Sequence, residues 1–200
     1  MDQIENMGGG EKEGGREAGE TAGRDRPRIY VASLADYNAG RLVGTWIEAD
    51  QQPEELQAAV SAMLARSSES VAEEWAIHSY EGFGTLRLSE YESLETVARL
   101  AAGIAEHGPA FAALAEIVGA DQEDVLRHFE DQYLGAFESM TDFARQFCDD
   151  LGWETKLGQL PEGLRRYVEI DYEQLGFDLA TELDGVSNGE GGIYVFDTRL

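Results

Sequence analysis

The chain has 200 residues, 42% of them hydrophobic, which allows one domain or two or three small ones with a real core. With 40 acidic against 15 basic residues, a net charge of -25, it repels nucleic acid and anionic membrane and attracts basic surfaces. One cysteine, Cys148, excludes an internal disulfide framework, and no apolar run approaches the ~20 residues of a membrane span.

Residues 1–26 are rich in Gly and Glu, without apolar periodicity and without the apolar centre of a secretory signal. A disordered extension and a soluble, cytoplasmic protein are the expectation. The pattern changes at Arg28. Arg28–Leu34 is a β-branched and aromatic strand, Ala35–Gly40 supplies turn residues, and Arg41–Ala49 is a partner strand. Pro53-Glu54-Glu55 opens a helix to about Arg66, with Leu56, Ala59, Val60, Met63 and Leu64 on one side. Trp75–Tyr80 is a third strand, so 27–84 is expected as a β-β-α-β sub-domain. A helical middle, 85–130, follows: Ser93–His107, Pro109–Val118, and Asp121–Glu130 with Asp121 as N-cap.

The third part, 131–200, is mixed. Gln132–Phe137 is extended, and Ser139 caps a helix that carries Met140, Phe143, Phe147 and Leu151 inward. Pro161-Glu162 starts another helix, with Leu160, Leu164 and Tyr167 at helical spacing. After a break near Ile170, Tyr172, Leu175, Leu179 and Leu183 form a second stripe, and Asp171, Asp178 and Glu182 line one edge of the same helix. Gly185–Gly192 reads as a flexible turn before a closing strand, Ile193–Phe196. The class is therefore α+β, an elongated chain of three small sub-domains in line.

The acidity belongs to the body. Residues 1–26 hold seven acids and four bases, whereas 28–82 has nine and three, 83–130 nine and three, and 131–200 fifteen and five. Catalytic constellations are thin. His78, His107 and His128 show no ligand spacing, and Cys148 beside Asp149 is a structural thiol. Asp184-Gly-Val-Ser-Asn-Gly lacks the acid that ends a calcium loop, and no phosphate-cradling glycine motif is present. No cofactor, metal or enzymatic activity is expected. Uncompensated acid along the whole body fits a salt-adapted surface, an acidic interaction module, or a protein that presents DNA-like charge to a basic partner.

Several ordered motifs carry a resemblance. Pro27–Leu34, Tyr37-Asn38-Ala39-Gly40, Gly44–Ile47, Glu74–Phe83, Leu88–Glu92, Gln132–Gly135, and Leu160-Pro161 through Tyr167 to Asp171-Tyr172 and Asp178-Leu179 resemble the ArdA antirestriction family over about 28–198. Where the family pattern has a basic residue before the final Asp-Leu pair, this chain has Phe177. The resemblance implies a homodimeric mimic of bent duplex DNA, spread by mobile genetic elements, that occupies the DNA path of type I restriction-modification enzymes and binds no nucleic acid or membrane itself. It further implies that Asp142, Asp149, Asp150, Asp171, Asp178 and Glu182 stand in for phosphates. Leu164, Tyr167, Tyr172, Leu175 and Leu179 would build the C-terminal core and dimer seam.

Overall fold

The computed structural model describes residues 26–69 and 72–199; the expected extension at 1–26 lies almost wholly outside them. The fold is α+β. Strands β1 (Arg28–Ser33), β2 (Gly44–Glu48) and β3 (Trp75–Glu81) form an antiparallel sheet in the order β2-β1-β3. Alternation decides which face is buried: Ile29, Val31 and Ile47 point inward, whereas Arg28, Trp46 and Glu48 face out. Helix α2 (Pro53–Leu64) covers the inner face with Leu56, Val60 and Met63, each worth roughly 1.5–3 kcal/mol when fully buried. Ala35–Gly40 does not form a simple turn: the Ser33 hydroxyl accepts from Asp36 N–H and starts a short helix, α1 (Leu34–Asn38). The outer edge of β2 is guarded by side chains, with Arg66 donating to the Gly44 carbonyl at 3.1 Å and Gln51 to that of Glu48.

Helices α3 (Leu94–His107, capped by Ser93) and α4 (Pro109–Val118) come next. They cross where a Cβ on Gly103 would stand 2.3 Å from the Phe111 ring, so only glycine admits this approach. The expected helix Asp121–Glu130 is instead two short pieces, α5 (Glu123–Arg127) and α6 (Phe129–Gln132), interrupted at His128. Asp121 is not the cap: a turn from Gly119 to Gln122 starts the helix one residue later, and Gln122 precedes it without a side-chain cap.

The second sheet joins β4 (Tyr133–Phe137), β5 (Asp184–Ser187) and β6 (Ile193–Phe196) in the order β4-β6-β5. Here β5 corrects the expectation of a turn beginning at Gly185; the turn is confined to the residues between β5 and β6. Among the described residues, one cluster of buried apolar side chains runs from Ile29, Leu56 and Val60 through Phe83, Leu100, Phe111 and Phe129 to Phe196. It crosses the expected boundary at 84/85 without a gap. Phe196 meets Phe129 at 6.3 Å and Tyr133 at 5.6 Å, which ties the second sheet to the helical middle.

Candidate functional site

Helix α7 (Met140–Asp150) begins at Ser139, whose hydroxyl accepts from Asp142 N–H at 3.2 Å. Phe143, Ala144 and Cys148 are buried on one side, and Phe143 meets Phe137 of β4 edge-on at 5.1 Å. Leu151, expected inward, is exposed, because α7 stops one residue before it. Burial, and then the charge of Asp149, push the Cys148 thiol up. It stays protonated and inert.

Helix α10 (Tyr172–Leu179) lies against α7. A Cβ added to Gly176 would meet the Met140 carbonyl carbon and oxygen and the Thr141 nitrogen at 2.9 Å. Glycine thus seats α10 backbone to backbone on the first turn of α7. Asp171 caps α10, its carboxylate accepting from Gln174 N–H at 2.9 Å. The expected single carboxylate line is shorter than the spacing suggested. The helix ends at Leu179 with Ala180 as its C-cap, and the Thr181 hydroxyl donates to the Asp178 carbonyl at 2.7 Å, so Glu182 and Leu183 fall beyond it.

The charge balance at these positions is uneven. Glu182 is answered by Arg199 at 2.9 Å. Among the described residues, Asp142, Asp149, Asp150, Asp171 and Asp178 form no ion pair; Asp142 is half-buried and the other four are exposed. Gln146 donates to Asp150 and Gln174 to Asp178, each at 2.9 Å. Such neutral amides hold a carboxylate in place without cancelling its charge. Asp149, Asp150 and Asp178 also occupy the last turns of α7 and α10, where no base is present and the helix dipole disfavours an anion. Arg145 is turned from the acids of its own helix toward the Tyr172 ring, 5.5 Å away. The Tyr172 hydroxyl donates to Glu154 at 3.4 Å and is pushed up by desolvation and then by that carboxylate.

The apolar residues of this region divide in two. Tyr172, Leu175 and Leu179 are half-buried between α10 and its neighbours, whereas Leu164 is 56% and Tyr167 77% exposed. Leu164 and Tyr167 therefore add nothing to the chain's own core. The expected helix through them is only one turn, α9 (Glu162–Arg165), too short to fold them inward. Phe177, exposed to 69%, joins them on the surface. Beside α10 a groove of about 620 Å³ is lined by Trp153, Leu157, Leu160, Ile170 and Leu175. Trp153 and Leu157 belong to α8 (Trp153–Gly158), a helix the sequence reading missed. Its signal was there: Trp153, Leu157, Leu160 and Leu164 recur at helical spacing, although Gly152 and Gly158 obscure it.

Among the described residues, no group of three or more His, Cys, Asp or Glu is placed to hold a metal ion, and no helix is long and apolar enough to cross a membrane. No individually curated protein matches the chain. A family model described as antirestriction protein (ArdA) matches residues 29–194, a span that holds the first sheet, the helical middle, α7, α10 and most of the second sheet. The chain belongs to the ArdA antirestriction protein family.

Proposed function

We propose that this protein occupies the DNA path of a type I restriction-modification enzyme as a mimic of bent duplex DNA, and blocks cleavage and modification there. The family is one of antirestriction inhibitors that act on such enzymes. The observation that carries the mimicry is the placement of Asp149, Asp150 and Asp178: exposed, unanswered by base and set at the helix ends where they destabilise. A chain gains nothing in folding from such positions. A basic groove built for phosphates supplies what they lack, as duplex DNA offers it one charge per roughly 1.7 Å of axis.

In this reading Asp142 and Asp171 extend the same charged surface, and Glu182 joins it where Arg199 releases it. Leu164, Tyr167 and Phe177, with Tyr172, Leu175 and Leu179 behind them, form the seam of a homodimer, so that two acidic bodies make one DNA-length mimic in an elongated, three-part arrangement. The protein's own chemistry is binding, and it calls for no cofactor.

A cleavage assay tests this. Purified type I enzyme acting on unmodified DNA is expected to lose activity when the protein is in excess; cleavage at the full rate would sink the proposal. The variant combining Asp149→Asn, Asp150→Asn and Asp178→Asn is expected to melt at a higher temperature than the wild type yet to inhibit at least tenfold less. Unchanged inhibition would remove these three carboxylates from the surface that binds. Recovery of an unrelated basic protein in place of restriction subunits would favour a general acidic interaction module.

A further inference from the structure

Every residue from 161 to 169 is exposed, although the single turn of α9 gives the stretch a defined shape. Its apolar members face out with its charges: Leu164, Tyr167 and Val168 are 56%, 77% and 43% exposed. An uncovered apolar patch of this kind marks a contact surface.

The charges of the stretch are as unusual as its apolar residues. The chain as a whole stands at -25, yet 161–169 holds two acids, Glu162 and Glu169, and two bases, Arg165 and Arg166. Glu162 and Arg165 lie three apart on one helical turn, a spacing at which opposite charges can pair. They do not, and none of the four charges joins an ion pair among the described residues. Arg28, Arg41, Arg127 and Arg199, by contrast, each take an acid of their own chain. Arg166 lies instead against the Tyr167 ring, 5.6 Å from its centroid.

An occupant must answer both features. A basic DNA path is matched by the acidic remainder of the surface, not by a stretch that carries two free arginines. A second copy of the chain brings its own net charge of -25 and is repelled by most of the first. Contact across a twofold axis sets a patch against itself, so an acid-only face opposes its own copy, whereas a face of both signs can answer it. The stretch 161–169 meets that condition and also has apolar surface to bury.

We propose that 161–169 is a self-complementary ionic lock, in which Arg165 and Arg166 of each copy pair with Glu162 and Glu169 of the other around Leu164, Tyr167 and Val168. The lock rests on the reading that the protein is a homodimer joined through this region, and it adds what selects the second copy. The apolar residues give the contact its area, and the mixed charges reject a surface of one sign. Two strongly acidic bodies can then meet without consuming Asp149, Asp150 or Asp178, which remain for the partner enzyme.

The test is sedimentation of the full chain at micromolar concentration with charge-exchange variants. Glu162→Arg with Glu169→Arg lowers the net negative charge of each copy, and so the general repulsion between them. It is nevertheless expected to dimerise on the order of 100-fold more weakly, because only arginines then face one another. Arg165→Glu with Arg166→Glu is expected to weaken the dimer at least as much. Mixed in equal amounts, the two variants are expected to form a heterodimer at least as tight as the wild-type dimer. The variant with all four exchanges keeps the original net charge and the pairing, and is expected to dimerise as the wild type does. Circular dichroism checks the fold; should a reversed variant unfold, Glu162→Gln with Glu169→Gln is read in its place, with a dimer roughly tenfold weaker. If either reversed variant dimerises as a dimeric wild type does, the lock alone is overturned and the seam belongs to other residues. Reversed variants that lose the dimer but do not rescue each other on mixing overturn it as well. A wild type that sediments as a single chain overturns the homodimer and the lock with it.

Discussion

Asp36 is the one carboxylate of this acidic chain that is buried among the described residues, with no exposed surface. Its oxygens accept from the Ser33 hydroxyl at 2.8 Å, from Ser67, and from Arg41 at 3.2 Å, and Arg41 reaches on to Glu69. The Ser67 hydroxyl holds the carboxyl below the usual carboxylate range; burial opposes this, and Ser33 and Arg41 reinforce it. A folded-state pKa below the unfolded one contributes stability that is whole above the ordinary carboxylate range and is lost as pH falls through the lowered value. Asp36→Asn is expected to melt several degrees lower at neutral pH, with the gap to wild type closing below about pH 4. A gap that stays unchanged well below that pH would show that packing, not charge, is what Asp36 supplies. The contrast with Asp149 and Asp150 is one of partners: the buried acid has three, Ser33, Ser67 and Arg41, and the exposed acids have at most a neutral amide.

At the scale of elements, Gly176 decides whether α10 reaches α7. Gly176→Ala places a methyl group on the Met140 and Thr141 backbone and is expected to lose about 1–3 kcal/mol, read by denaturant unfolding. Gly163→Ala in α9 meets nothing within 4 Å and should be neutral or slightly stabilising. If the two substitutions cost the same, α10 is not seated as described. Such contacts explain what the sequence made legible and what it hid. The strands at Arg28 and Trp75 and the helices at Pro53, Ser93 and Pro109 follow from local pattern, because β-branched runs, proline at a first turn and a serine cap act within a few residues. The antirestriction motifs were legible too, as residues in order. By contrast β5, Asp184-Gly-Val-Ser, has no strand propensity of its own; it is extended because Asp184 to Ser187 pair with Phe196 to Ile193. The exposure of Leu164 and Tyr167 was hidden for a related reason. Periodicity marks an apolar face, and only the packing of α9 shows that nothing among the described residues covers it.

For the whole molecule, that uncovered face gives the prediction for assembly. Leu164→Asp combined with Tyr167→Asp alters two exposed side chains and leaves the core cluster untouched, so the fold is expected to survive. Sedimentation at micromolar concentration is expected to show the mass halved relative to the wild type. A variant that sediments as the wild type does would place the seam elsewhere. The layout of the core also bears on the order in which the chain folds. In the second sheet the central strand, β6, is the last of the three in the chain, and Phe196 at its end is sealed into the cluster that begins at Ile29. During synthesis at about 5–20 residues per second, the first sheet and the helical middle can close while β6 is still unmade. Until β6 arrives, β4 and β5 have no strand between them, and Phe129 and Tyr133 lack a neighbour. The sheet that α7 packs against through β4 is thus closed only once β6 has been made, after both α7 and α10.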